Sequence, residues 1–169
     1  MQFLVYRSAG MAAASVAFLF ASHGLAQSVP SGPVQVISEN SGLCLDVPGF
    51  STSPGSTLQQ WGCNGGNNQR FSLVGAGGGN YFIVATHSGL CLDVPNFSRN
   101  FGTTVQQWGC NGGSNQRFSL VSAGGDNYYI VSENSGLCLD VPGFSRNFGT
   151  TIQQWGCNGG NNQRFRLVP

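Results

Sequence analysis

The sequence predicts an all-β protein built from three copies of one unit, each about 47 residues long. The second and third copies, which begin at Ile83 and Ile130, differ at only seven positions. The first copy, from Val36, departs from them mainly in one loop, where "STSPGST" replaces "SRNFGTT". An interval of 47 residues separates successive members of two sets, the cysteines Cys44, Cys91 and Cys138 and the tryptophans Trp61, Trp108 and Trp155.

Within each copy the apolar runs are short and rich in β-branched and aromatic residues, as in "VQVIS", "LCLDV", "TLQQW" and "RFSLV". Gly, Asn, Ser and Pro separate these runs, which predicts about four strands per copy and no helix. A period near 47 also fits a β-propeller, but propellers close with about four to eight blades. Three four-stranded units instead predict closure around a three-fold pseudo-axis as a β-trefoil.

Residues 1–26 are typical of a secretory signal peptide. Arg7 precedes an apolar run over 10–20, and the small residues Gly24 and Ala26 suit a signal peptidase. A membrane anchor is the alternative, although the run is shorter than the ~20 residues that span a bilayer. We therefore expect a secreted, extracellular protein, with the periplasm or the cell surface as alternatives. The expected organisation is a signal at 1–26, a flexible lead at 27–33 and one domain at 34–169, with lobes at 34–82, 83–129 and 130–169.

The charge pattern restricts the class of partner. After residue 26 the chain has six arginines, six acidic residues and no lysine. Nucleic acids and anionic lipids attract clustered positive charge, which this sequence lacks. We therefore expect an uncharged partner, no nucleic acid, no membrane insertion and no cofactor.

The six cysteines predict one disulfide bond in each copy. A secreted chain with paired cysteines is typical of a disulfide framework. Pairing within copies is the only symmetric scheme that needs no contact between copies: Cys44 with Cys63, Cys91 with Cys110 and Cys138 with Cys157. Zinc is the rival interpretation, but no CxxC motif occurs and His87 is the only histidine after residue 26.

Side chains alternate between the two faces of a strand, and this alternation places polar groups beside the disulfide. In "LCLDV" the apolar residues share one face, while Cys44 and Asp46 share the other. In "LQQWGC" the residues Gln59, Trp61 and Cys63 lie on one side. A bond between the two cysteines therefore gathers Asp46, Gln59 and Trp61, and we expect them to meet outside the core.

This group has the chemistry of a sugar site. A carboxylate accepts hydrogen bonds from hydroxyl groups, the amide-rich loop "NGGNNQ" can donate and accept, and the indole offers a flat apolar surface. A pyranose presents hydroxyls on its edge and C–H groups on its face. The alternative role for Trp61 is packing over its own disulfide, because large aromatic side chains commonly cover apolar surface.

With "CLDV", "QQWGC" and "NQRF" in this order three times, residues 34–169 resemble the ricin B-type lectins and the family 13 carbohydrate-binding modules, which are β-trefoils. The resemblance implies that each lobe binds sugar through an aspartate, an aromatic residue and nearby amides, with galactosides or xylan-like glycans as partners. Carried over by motif, the candidate residues are Asp46, Gln59, Trp61, Asn68 and Gln69 in the first lobe; Asp93, Gln106, Trp108, Asn115 and Gln116 in the second; Asp140, Gln153, Trp155, Asn162 and Gln163 in the third.

The sequence departs from this family in its core signature, and its own copies differ in one loop. The family's Gln-x-Trp signature is Gln-x-Phe in every lobe, as at Gln69 and Phe71, and phenylalanine can still fill a core. The signature glutamines have a structural alternative, since a buried carboxamide that satisfies backbone groups would give the same pattern. Phe101 and Phe148 lie in a loop where the first copy has Pro54, so we expect the first site to differ from the others.

No catalytic set is evident, and we expect a binding protein. Glycoside hydrolysis uses two carboxyl groups about 5–10 Å apart, whereas each lobe supplies one aspartate to its expected site. The alternatives are a β-trefoil that binds proteins or inhibits proteases, and a detached accessory module of a glycoside hydrolase. Retention of the candidate residues in all three lobes favours a lectin, because an inhibitor needs one loop that differs from the others.

Overall fold

The computed structural model describes residues 28–169, so the expected signal peptide and Gln27 lie outside the described residues. These residues form twelve antiparallel strands and no α-helix, which confirms the all-β prediction for the part of the chain that is described. The strands are β1 (Gln35–Ser38), β2 (Cys44–Asp46), β3 (Gln59–Trp61), β4 (Phe71–Gly77), β5 (Asn80–Ala85), β6 (Cys91–Asp93), β7 (Gln106–Trp108), β8 (Phe118–Ser122), β9 (Asn127–Ser132), β10 (Cys138–Asp140), β11 (Gln153–Trp155) and β12 (Phe165–Val168).

Six of the strands close into a barrel. β1 pairs with β12, β12 with β9, β9 with β8, β8 with β5, and β5 with β4. The ring closes where Val34, next to β1, bridges to Phe71 at the start of β4. Closure leaves no unpaired barrel edge, which protects the sheet from pairing with other chains.

The other six strands form three hairpins at one end of the barrel: β2 with β3, β6 with β7, and β10 with β11. Isolated bridges join the hairpins to one another, for example Gln59 with Thr151 and Thr57 with Gln106. Six barrel strands and three hairpins with approximate three-fold symmetry constitute a β-trefoil, as the repeat predicted. Strands β5 and β9 begin at Asn80 and Asn127, three residues before the expected starts of the second and third lobes.

Symmetric apolar side chains from the three lobes fill the core. Phe71, Phe118 and Phe165 are buried together with leucine, valine and isoleucine side chains from the barrel and the hairpins. The phenylalanine of each Gln-x-Phe motif therefore does pack in the core. Fully burying such a side chain contributes about 1.5–3 kcal/mol each.

The disulfides join the strands of each hairpin as predicted, with Cα atoms 5.1–5.2 Å apart: Cys44–Cys63, Cys91–Cys110 and Cys138–Cys157. Disulfides are typical of oxidising compartments.

Each lobe also contains two three-residue 3₁₀ helices, which the sequence did not predict. One follows the first strand of each hairpin (β2, β6 or β10), and the other precedes β4, β8 or β12. They are Pro48–Phe50, Asn67–Gln69, Pro95–Phe97, Ser114–Gln116, Pro142–Phe144 and Asn161–Gln163. Within 28–169, no helix has the length and apolar character that a membrane crossing requires.

Candidate functional site

Each hairpin holds one aspartate in a cradle of amide groups. Strands β2 and β3 place Asp46 directly opposite Gln59, and the Gln59 amide donates a 2.8 Å hydrogen bond to Asp46 Oδ1. Asn68 and Gln69, from the 3₁₀ helix that precedes β4, donate to Asp46 Oδ2 at 2.8 and 3.0 Å. Three N–H groups thus hold one carboxylate.

The same cradle occurs in the other two lobes with almost identical distances. Asp93 accepts from Gln106, Asn115 and Gln116 at 2.9, 2.8 and 3.0 Å. Asp140 accepts from Gln153, Asn162 and Gln163 at 2.8, 2.9 and 2.9 Å. The structure therefore brings together the polar candidates of each lobe as the motif predicted.

The aspartates lie deeper than the alternation of strand residues suggested. Asp46 is only 3% exposed, so both faces of β2 are buried, although Asp46 still meets Gln59 and Trp61 at a cleft and not among the apolar core side chains. A buried carboxylate is stable only when hydrogen bonds replace its water, and the amide cradle supplies them. A carboxylate has about four acceptor positions, and three are occupied here. Oδ1 of Asp46 can therefore accept about one more hydrogen bond.

A cleft opens over each cradle, with a tryptophan in its wall. The volumes are about 310 Å³ at Trp61, 450 Å³ at Trp108 and 270 Å³ at Trp155. Trp61 is 40% exposed and lies opposite Cys44 in the hairpin, so the indole borders the cleft next to the disulfide. Each cleft combines an apolar ring with one acceptor carboxylate.

Within residues 28–169, no group of three or more His, Cys, Asp or Glu side chains is arranged to bind a metal ion.

Two of the five candidates in each lobe, the asparagine and the signature glutamine, hold the aspartate in place by hydrogen bonds. Gln69 is fully buried, and besides Asp46 it donates to the Gly62 carbonyl oxygen and accepts from the Asn64 N–H. Asn68 borders the cleft, but its amide N–H groups are used by Asp46 and by the Val47 carbonyl oxygen. The structural alternative for the signature glutamine thus describes its position, and the same holds for Gln116 and Gln163. Asn115 and Asn162 repeat the bonds of Asn68.

The sequence reasoning missed two residues that line each cleft. Asn64, with its equivalents Asn111 and Asn158, follows the second cysteine and borders the cleft. Its Oδ1 accepts from the Gly66 N–H at 2.8 Å, while its Nδ2 makes no hydrogen bond with another group of residues 28–169. This nitrogen can therefore donate to a ligand. Its repetition four residues before each Asn-Gln pair was the available signal.

The second missed residue is an exposed phenylalanine in an unusual backbone conformation. Phe50, like Phe97 and Phe144, borders its cleft and has a φ of 53–54°. The left-handed region costs a residue with a bulky side chain roughly 1–2 kcal/mol. Its occurrence in all three lobes favours a role for the ring in the cleft, because strain of this kind is commonly retained at functional sites.

The second glutamine of each "QQW" joins neighbouring lobes through an outer loop. We define the outer loops as residues 51–56, 98–103 and 145–150. Gln60 is buried and donates to the carbonyl oxygens of Ser145 and Asn147, at 3.0 Å each. Gln107 bonds to loop 51–56 and Gln154 to loop 98–103 in the same way. Each outer loop therefore packs on the hairpin of another lobe.

His87 belongs to this contact between lobes. Its Nε2 lies 2.8 Å from the Ser51 carbonyl oxygen. Asn40 and Asn134, at the equivalent positions, donate to the carbonyl oxygens of residues 144–145 and 97–98. His87 thus takes a structural position that asparagine fills in the other two lobes.

The outer loops correct the expectation that the first site differs from the others. Phe148 of the third lobe packs against Trp61 of the first, and Phe101 of the second against Trp155 of the third, with ring centroids 5.1 Å apart in both pairs. Loop 51–56, which carries Pro54, lies against Trp108 instead: a Cβ on Gly55 would be 3.6 Å from that indole. The second cleft is therefore the exceptional one, and it is also the largest.

A glycine in each amide loop is required by packing alone. Gly66 has an ordinary φ of −63°, yet a Cβ there would lie 2.5 Å from Asn68 Oδ1 and 2.9 Å from both Asn64 Oδ1 and Phe50 Cζ. We expect Gly66→Ala to displace Asn68 from Asp46 and to lower the free energy of unfolding by about 1–3 kcal/mol. Urea denaturation of the oxidised protein measures this change.

Gly75→Ala is the matched control for this variant. Gly75 is outside the left-handed region, and no atom lies within 4 Å of an added Cβ. We expect a change within about 0.5 kcal/mol there. Equal effects of the two substitutions would contradict the packing explanation for Gly66.

Comparison with known proteins supports this description. The family model described as "Ricin-type beta-trefoil lectin domain-like" matches three overlapping segments, residues 18–108, 75–155 and 114–169. Members of this family typically bind carbohydrate without catalysis.

Three solved structures illustrate the similarity. The designed three-fold symmetric protein ThreeFoil is 41% identical, with a TM-score of 0.81 over 82% of this chain and 99% of that one. An exo-β-1,3-galactanase from Clostridium thermocellum is 37% identical, with a TM-score of 0.79, over 82% of this chain but only 30% of the enzyme. A Macrolepiota procera ricin B-like lectin, solved with lactose, shares the fold at 18% identity, with a TM-score of 0.70 over 83% of this chain and 98% of that one. The chain therefore belongs to the ricin-type β-trefoil lectin-like family.

Proposed function

We propose that the protein is a secreted, multivalent carbohydrate-binding protein that holds pyranose sugars of glycans in up to three clefts. One observation carries the proposal: each cleft combines an exposed indole with a buried carboxylate that retains acceptor capacity. The indole suits the C–H face of a pyranose, and the carboxylate suits its hydroxyl groups. In this proposal Asp46, Gln59 and Trp61, with Asn64 and Phe50, contact the sugar.

Asn68 and Gln69 have a different role in this proposal. They hold the carboxylate at its position, because both are almost completely buried and their N–H groups are already used. A rigid acceptor loses less conformational entropy on binding than a mobile one. The corresponding residues of the second and third lobes act in the same way on Asp93 and Asp140.

We propose binding without hydrolysis. Each cleft is lined by one carboxylate, from Asp46, Asp93 or Asp140. Glycosidases of the usual types need a second carboxyl group within about 10 Å across the scissile bond. The similarity to part of a galactanase suggests attachment to a polysaccharide as the biological role.

Galactose-containing glycans are the first candidates for the ligand. The galactanase is named for β-1,3-galactan, and the fungal lectin was solved with lactose. A single shallow sugar site binds typically with a Kd on the order of 1 mM. Three linked sites on one glycan surface can raise the apparent affinity by about 10²–10⁴.

A glycan array probed with residues 27–169, in oxidised form, tests the proposal. We expect binding to neutral glycans that contain galactose or xylose, competition by the free sugar, and little change between about 0.05 and 0.5 M NaCl, since few charges are involved. Failure to bind any neutral glycan would contradict the proposal. Binding only to sulfated or sialylated glycans, with loss at high salt, would contradict it as well.

A further inference from the structure

Two of the three clefts adjoin an exposed aromatic ring from another lobe, in addition to the tryptophan and phenylalanine of their own lobe. Phe148 lies beside Trp61 and Phe101 beside Trp155, with the ring planes tilted by 46–47°. Both phenylalanines are 58% exposed, the largest values among the exposed large hydrophobic side chains of residues 28–169. They do not line the clefts themselves, but each packs against an indole that does.

The fold does not depend on these phenylalanines. Loop 51–56 has Pro54 at the equivalent position, yet its backbone docks in the same way. The N–H of Gly55 donates to the Gln107 carbonyl oxygen at 2.8 Å, as Gly149 donates to Gln60 at 2.9 Å. The loop of the first lobe is thus a natural control within the chain. Because docking is retained without the ring, the exposed phenylalanine needs another explanation.

We propose that Phe148 and Phe101 form outer subsites for the second sugar of an oligosaccharide whose first sugar lies on Trp61 or Trp155. This inference rests on the proposed function of the clefts. An exposed aromatic ring next to an indole extends the apolar surface on which the C–H faces of successive sugars can lie. No charged side chain lines the adjoining cleft except the aspartate, which suits a neutral chain.

The second cleft lacks this subsite. Within residues 28–169, no phenylalanine of another lobe packs against Trp108. Its exposure is 44% instead of 40%, and an added Cβ on the adjacent Gly109 would meet no atom within 4 Å. In the other lobes, an added Cβ on Gly62 or Gly156 would lie 3.1 Å from the phenylalanine ring. The protein therefore has two extended sites and one site for a single sugar.

The three tryptophans allow each cleft to be observed separately. The chain contains three tryptophans, so the indole N–H signals of ¹⁵N-labelled protein report the three clefts individually. Single Trp→Phe variants assign the signals. Titrations compare galactose with β-1,3-galactobiose, and xylose with xylobiose. We expect the disaccharide to bind about three- to tenfold more tightly than its monosaccharide at Trp61 and Trp155, and about equally at Trp108.

Substitutions in the outer loops should act on another lobe. Phe148→Ala should reduce the ratio of disaccharide to monosaccharide affinity to about one at Trp61 alone, and Phe101→Ala at Trp155 alone. Pro54→Phe should raise the ratio at Trp108. Val74→Ala is the matched control, because it also removes an exposed apolar side chain but one that lines none of the three clefts.

The outcomes separate this inference from the proposed function. Equal ratios at all three indoles in the parent protein would overturn the outer subsites and leave carbohydrate binding intact. The same conclusion follows if Phe148→Ala lowers the affinity for the monosaccharide and the disaccharide equally, since the ring would then only hold Trp61 in position. If no sugar of either pair shifts any indole signal, while the glycan array is also negative, the proposed function itself fails.

Discussion

Replacing Trp61, Trp108 and Trp155 together by alanine is expected to abolish retention of the protein on a polysaccharide or galactoside column. Each indole provides the apolar face of its cleft, and an aromatic contact of this kind contributes on the order of 1 kcal/mol beyond the area it buries. Losing all three also removes the avidity gain of about 10²–10⁴. Affinity chromatography of parent and variant measures the effect.

The fold should survive this triple substitution. The three indoles are 40–44% exposed and belong to no part of the buried core. Far-ultraviolet circular dichroism should therefore show the same β-protein in both cases. Single variants serve as graded controls, because each leaves two clefts and should be retained to an intermediate degree. Retention of the triple variant equal to that of the parent would show that the site assignment is wrong.

Asp46→Ala is expected to cost about 3–5 kcal/mol of unfolding free energy. The substitution leaves N–H groups of Gln59, Asn68 and Gln69 without their acceptor, and each buried donor left unpaired costs roughly 1–3 kcal/mol. This is a large part of the 5–15 kcal/mol that typically stabilises a domain. Urea denaturation with the disulfides intact gives the difference.

Gln59→Ala is the matched control for the aspartate. It removes a single, partly buried donor to the same carboxylate, so we expect a cost of about 0.5–1.5 kcal/mol. In the Asp46 variant the indole of Trp61 should also stop responding to sugar, while Trp108 and Trp155 continue to respond. Similar stabilities for the two variants would contradict the role of Asp46 as the centre of the amide cradle.

The sequence was sufficient to predict the architecture, because the repeat is nearly exact. Identical spacing of Cys44, Cys91 and Cys138 implies three-fold symmetry, and symmetry restricts the disulfide pairing. Strand alternation then places Asp46, Gln59 and Trp61 near the same bond. These arguments depend on the spacing and strand geometry within each copy, so they do not require knowledge of contacts between distant parts of the chain.

Burial of the polar groups could not be predicted in this way. Alternation suggests that a polar residue between apolar ones points to solvent. Asp46 is nevertheless almost completely buried, because amide side chains that follow it by more than twenty residues cover it and satisfy its hydrogen bonds. Gln60, which alternation places on the same side as Leu58, is also buried, and a loop 85 residues away accepts its hydrogen bonds. Whether a cover exists depends on tertiary structure. Repetition of Gln60 at the same place in every copy was the only local sign of its role.

Phe50 illustrates a second limit of sequence reasoning. A phenylalanine after Pro-Gly is expected to occupy an ordinary backbone region, and its left-handed φ has no composition signal. Asn64, by contrast, lies in the amide-rich loop "NGGNNQ", whose side chains were expected to bind sugar. The family pattern emphasises the later Asn-Gln pair instead, of which only the asparagine borders the cleft.

Because each outer loop packs on the hairpin of another lobe, relatives of this protein should be compared by spatial position and not by repeat. Phe148 belongs to the third repeat by sequence, but its ring packs against Trp61 of the first. An alignment of isolated repeats assigns such a residue to the wrong site, and the loop columns must be shifted by one repeat before differences in ligand preference are interpreted. For the same reason, each of the extended sites proposed above combines residues of two lobes, so a peptide of one lobe would not be expected to form such a site by itself.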